Sequence, residues 1–112
     1  MKDAVPEASA ASAWQEYMAV MNPKGALDDK TKQLIALGVA AQIPCQYCIY
    51  ADKGFAKLDG ATDEELSEAI SMAALTRHWS TFLNGVDLNQ TTFRKEVDAD
   101  MLHAKGATAS AK

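Results

Sequence analysis

Cys45 and Cys48 are the only cysteines of the 112-residue chain, and two residues separate them. On a helix three positions turn through about 300°, so both thiols fall on one face, close enough to join in a disulfide within a single turn. Pro44 stands just before them. A proline suits a first helical turn because its missing N–H would have had no partner there. A helix opening around Pro44-Cys45 and running toward Leu58 is therefore expected, with the cysteines at its N-terminus. Free backbone N–H groups at such a terminus favour the thiolate, the reactive form in thiol–disulfide exchange. The competing reading of C-x-x-C is a pair of inert core cysteines. Zinc fails on ligand supply, since the only histidines, His78 and His103, lie 25 positions apart, far from the spacing of a compact site. No cofactor is expected.

Asp52 follows Cys48 by four residues, one helical turn on the same face, with Cβ atoms ~6 Å apart. An ionised carboxylate there opposes a thiolate by roughly 2.8 kcal/mol at an effective dielectric near 20, about two pKa units. The helix dipole offers at most ~2 kcal/mol in return. Three outcomes are open: burial makes Asp52 an acid-base partner for Cys48, the thiol is less reactive, or Asp52 pairs with a surface lysine. His78 shares a stripe with Ser71, Ala74 and Thr81, which fits a structural histidine or an imidazole at a pocket rim. Tyr47 and Tyr50 flank the cysteines and are expected to pack rather than to wall a pocket. Trp14, Tyr17, Trp79 and Phe82 are expected in the core or a subunit interface.

The elements that must position these groups are all helices. Apolar residues recur at helical spacing and nowhere alternate over four or more positions. Trp14, Tyr17, Met18 and Met21 mark a first helix over roughly Ala10 to Met21, stopped by Asn22-Pro23-Lys24-Gly25. Asp28 is placed to cap a second helix running to about Ile43. Leu34, Ile35, Leu37, Val39, Ala41 and Ile43 leave that helix almost no polar face, so it is expected to be central and surrounded by protein. Asp59-Gly60 ends the third helix. Thr62-Asp63-Glu64-Glu65 forms a capping box for a long fourth, which Asn84-Gly85 breaks. Phe93, Val97 and Met101 mark a shorter fifth. Residues 1–9 are expected to be flexible, 10–103 to form the one helical domain, and 104–112 to be a disordered tail.

Composition narrows the function. Hydrophobic residues make up 48% and charged residues 23% of the chain, the balance of a globular domain. Eleven basic against fifteen acidic residues give a net charge of −4, and the nine lysines are scattered, which argues against a nucleic-acid partner. The longest apolar run, Leu34 to Ala41, is far short of the ~20 residues that span a bilayer, so no membrane partner is expected. The first residues carry no secretory signal, which points to the cytoplasm, or to the periplasm if a leader has been removed.

The run Leu27-Asp28-Asp29-Lys30-Thr31-Lys32-Gln33-Leu34-Ile35-Ala36-Leu37, then Ala40-Ala41-Gln42-Ile43-Pro44-Cys45-Gln46-Tyr47-Cys48-Ile49-Tyr50-Ala51, resembles the alkylhydroperoxidase D-like branch of the carboxymuconolactone decarboxylase family. Gly60-Ala61-Thr62-Asp63-Glu64-Glu65 and the alanine-rich helix after it fit the same pattern, and the likeness covers roughly residues 14 to 100. The resemblance implies an all-helical homo-trimer or homo-hexamer that reduces peroxides through its C-x-x-C. Cys48 would attack the peroxide and pass through a sulfenic acid, and Cys45 would resolve it to a disulfide. A thiol donor, a protein or a dihydrolipoyl-type group, would restore the dithiol. The family's proton relay has a glutamate twelve residues before the first cysteine and a histidine four after the second. Here Gln33 and Asp52 occupy those positions, and a carboxamide takes up no proton.

The leading expectation is thus a thiol–disulfide oxidoreductase acting on a peroxide or disulfide substrate. An acid-base enzyme of the decarboxylase branch, working without cysteines, is the first alternative. A non-catalytic helical oligomer or thiol sensor, its relay lost with Gln33 and Asp52, is the second. Apolar helices with aromatics at their surface in so short a chain also call for a symmetric homo-oligomer.

Overall fold

The computed structural model describes residues 3–111, with side chains through residue 107. Among the described residues it holds five helices and no strand: α1 (Glu7–Val20), α2 (Asp29–Gln42), α3 (Gln46–Leu58), α4 (Asp63–Gly85) and α5 (Gln90–Ala111). The all-helical class and the number of helices are those expected. The chain divides between Leu75 and Thr76 into two compact units.

In the first unit, local chemistry sets the helix ends. Asp28 caps α2 as expected, its carboxylate accepting from the Thr31 backbone N–H at 2.7 Å. The Thr31 side chain, and after it this backbone N–H, hold the Asp28 carboxyl below the ordinary carboxylate pKa. α3 closes in a Schellman turn: Ala61 N–H donates to the Ala56 carbonyl at 2.9 Å and Gly60 N–H to the Lys57 carbonyl at 3.0 Å. Gly60 takes φ +94°, a conformation that penalises any Cβ. Thr62 Oγ1 then accepts from the Glu65 N–H at 3.0 Å. The Glu65 carboxylate returns to Thr62, bonding its backbone and accepting from its hydroxyl at 3.4 Å, as the expected capping box requires. It also pairs with Lys30 Nζ at 2.9 Å, tying the start of α4 to the start of α2.

Leu37, Ala56, Ala61 and Leu66 form the buried core, with Leu34, Ile49 and Ile70 against it. Small residues bring α2 close to α4: a Cβ on Gly38 would lie 3.6 Å from both the Ala69 carbonyl oxygen and Ala73 Cβ. Gln42 Nε2 donates to the Ala73 carbonyl at 2.7 Å across the same contact.

Several expectations are corrected. α1 begins at Glu7 behind Pro6 and buries no residue, so residues 7–9 are helical; residues 1 and 2 lie outside the described set. Its Trp14 and Tyr17 rings stack on each other at 5.3 Å and stay exposed in this chain, which excludes the core for them and leaves the subunit interface. α2 is enclosed on one side only, because Ile35, Val39 and Ile43 are exposed. Tyr47 and Tyr50 do not pack, being 81% and 86% exposed, and Tyr50 instead lines a groove between α3 and α4.

In the second unit, α4 ends at Gly85 where Asn84-Gly85 was expected to break it. Asp87 adopts φ 52° in the turn, and Asn89 Oδ1 accepts from the Thr92 N–H at 3.0 Å to open α5. α5 spans 22 residues and continues through the segment expected to be a disordered tail, as far as Ala111. Alanine, the strongest helix former, makes up much of that segment. Lys112 lies outside the described residues. Trp79 and Phe82 are exposed in this chain.

Candidate active site

Cys45 and Cys48 form a disulfide with their Cα atoms 5.2 Å apart. Backbone and side chain of Cys45 both serve the start of α3. Its N–H donates to the Ala40 carbonyl at 2.8 Å and its carbonyl accepts from Ile49 N–H at 2.8 Å. Its Sγ accepts from the Cys48 backbone N–H at 3.1 Å. The sulfur thus stands where a serine or aspartate oxygen caps other helices. Once the disulfide opens, that N–H and the positive end of α3 favour Cys45 as thiolate. Both cysteines are half-buried: shielded enough for charge to matter, exposed enough to be reached.

Asp52 lies one turn along α3, half-buried like the cysteines. Burial pushes its carboxyl above the ordinary carboxylate value of 3.8, and no cation or hydrogen-bond donor offsets the shift. The pairing of Asp52 with a surface lysine is therefore not what the structure shows. Lys57, on the opposite side of α3, bonds Asp63 at 2.9 Å.

Gln33 is 5% exposed. It shares the buried face of α2 with Leu37 and Ala40, and α3 is the helix packed most closely on α2. A glutamate here would be buried as a charge; the carboxamide brings two N–H donors and a carbonyl and no net charge. His78 belongs to the second unit, exposed in this chain, where its ring meets Trp79 edge-on at 5.4 Å and Phe82 at 4.9 Å. The disulfide and Asp52 thus lie at the first turns of α3 and Gln33 on the buried face of α2, all within the first unit. Among the described residues no group of three or more His, Cys, Asp or Glu is placed to hold a metal ion, and no helix is long and apolar enough to cross a membrane.

The C-x-x-C spacing found the disulfide. It gave no sign that the Cys45 sulfur would itself cap α3, because that depends on Cys45 leaving helical geometry, at φ −108° and ψ 100°.

Comparison with known proteins locates this architecture. The carboxymuconolactone decarboxylase family model matches residues 8–88. A curated protein of Paracoccus denitrificans, "Uncharacterized protein 4 in cox locus", is 43% identical over 70 residues, which cover 62% of this chain and 63% of that protein. The crystal structure of an alkylhydroperoxidase AhpD core from Rhodospirillum rubrum superposes with a TM-score of 0.66 at 24% identity, covering 70% of this chain and 58% of that one. At that identity the likeness is one of fold.

Proposed function

Because the chain belongs to the carboxymuconolactone decarboxylase family, we propose that it is a thiol–disulfide oxidoreductase that reduces peroxides through Cys45 and Cys48. The observation that carries the reading is the disulfide at the opening turn of α3, half-buried and with Asp52 one turn away.

In the reduced protein Asp52 acts as general base, taking the proton of the Cys48 thiol. Its raised pKa narrows the gap to a thiol near 8.5, which makes that transfer less uphill. The Cys48 thiolate attacks the peroxide, the O–O bond breaks, Cys48 becomes a sulfenic acid, and the protonated leaving oxygen departs as alcohol or water. Cys45, held toward its thiolate by the Cys48 N–H, attacks the sulfenic sulfur. A disulfide forms and hydroxide leaves, taking up a proton to become water. A dithiol donor then reduces the disulfide by two electrons through a mixed disulfide and is itself oxidised. Gln33 orients a water or the reacting side chains and carries no proton.

Turnover of an alkyl hydroperoxide with a dithiol such as dihydrolipoamide tests the scheme. Cys48→Ser is expected to remove at least about 10³-fold of the activity. Cys45→Ser is expected to stop after one turnover with a sulfenic acid on Cys48 that dimedone traps. Full activity in the Cys45→Ser, Cys48→Ser double variant would overturn the proposal and favour acid-base chemistry of the decarboxylase branch.

A further inference from the structure

We propose that the groove between α3 and the first part of α4 binds a small amphipathic carboxylate, at a site separate from the cysteine pair. The groove encloses about 530 Å³, within the range of small-molecule sites. At 100° per residue, Lys53, Gly54 and Lys57 lie about 140–240° around α3 from Cys48, so the groove faces away from the disulfide and Asp52. Leu66 and Ile70 of α4 give it an apolar wall.

Two observations indicate an occupant of this chemistry. The first is charge. Lys53 and Lys57 both line the groove, and Asp63 is the only acidic residue among its lining side chains. The Lys57–Asp63 ion pair uses one of the two cations, while Lys53 makes no ion pair among the described residues. The groove therefore offers one uncompensated ammonium beside an apolar wall, in a chain of net charge −4. The second is Gly54. Glycine inside a helix costs about 1 kcal/mol relative to alanine, and packing does not require it here, because a Cβ on Gly54 would meet nothing within 4 Å. Its φ is not in the left-handed region either. What the missing side chain does is leave the groove open. An acyl chain lying along Leu66 and Ile70, over Gly54, with its carboxylate at Lys53 and within reach of the Ser67 hydroxyl, uses each of these features.

The test is an NMR titration of the full-length oxidised protein with octanoate, below the concentration at which octanoate self-associates. Octylammonium and acetate serve as controls for charge and for the apolar chain. The inference predicts saturable shifts at Lys53, Gly54, Leu66 and Ile70, with octanoate bound at least about tenfold more tightly than either control. Lys53→Gln should weaken octanoate about tenfold, and Gly54→Leu should abolish binding while leaving helicity and the Cys45–Cys48 disulfide intact. Should Gly54→Leu fold poorly, Gly54→Ala, which adds a single methyl group to the same space, is to weaken binding without loss of helicity. Absence of saturable shifts, equal binding of octylammonium, or undiminished binding in the glycine variants would overturn the inference. So would shifts at these residues that follow protein concentration without octanoate, since a second copy of the chain would then fill the groove. The cysteine chemistry stands or falls separately, because its residues are on the other face of α3.

Discussion

Asp52 is where electrostatics can be set against catalysis. Its carboxylate repels a thiolate one turn away, yet the same half-buried position raises its proton affinity. The two roles predict opposite results. If Asp52 is the base for Cys48, Asp52→Asn slows peroxide reduction at pH 7 by about 10²-fold; if repulsion dominates, the variant reacts faster. The proposed function requires the slower enzyme. Stability supplies a second readout whose sign is fixed. A carboxyl whose folded pKa is raised is a liability to the fold when ionised, and the liability is complete above the folded pKa and gone below the unfolded one. Asp52→Asn should thus melt above the parent at pH 7. The difference should close as pH falls through the raised pKa toward the ordinary value of 3.8. Thermal melts of the oxidised proteins from pH 3 to 8 measure it, and a variant less stable than the parent at neutral pH contradicts the account.

At the scale of elements, what the sequence made legible was what neighbours in the chain decide. Asp28 caps α2, Gly60 takes the left-handed conformation that ends α3, and Thr62 opens α4. Each involves residues within a few positions of one another, so spacing alone carries the information. Glu65 shows where that stops: its bonds to Thr62 are local, but its carboxylate also answers to Lys30, 35 positions earlier in the chain, and the capping-box pattern could not register a distant cation. The placement of C-x-x-C at the start of α3 was legible for the same local reason, as was Asp52 one turn on. The exposure of Tyr47 and Tyr50 was not, because it depends on which helices cover α3. The fifth helix was underestimated because small residues read as a disordered tail, although alanine also propagates a helix already begun at Asn89. Gly54 passed unnoticed because its meaning lies in the space above it.

At the scale of the whole molecule, apolar surface is left uncovered in both units. Trp14 and Met18 on α1 and Ile35, Val39 and Ile43 on and just beyond α2 are exposed in the first, and Trp79, Phe82 and Val86 in the second. Soluble monomers rarely carry so many large apolar side chains in stripes. The expected remedy is a symmetric assembly of identical chains, as the sequence resemblance also implies. Sedimentation equilibrium should give three or six times the 12.0 kDa chain mass, and a single 12.0 kDa species at micromolar concentration would refute it. The redox chemistry itself rests on two sulfur atoms, those of Cys45 and Cys48. Mass spectrometry of the fully reduced protein after one equivalent of hydroperoxide addresses them directly. The account predicts a loss of about 2 Da confined to the peptide that holds Cys45 and Cys48, reversed by a dithiol. An unchanged mass, or oxygen adducts that persist on either cysteine without the disulfide forming, would contradict it.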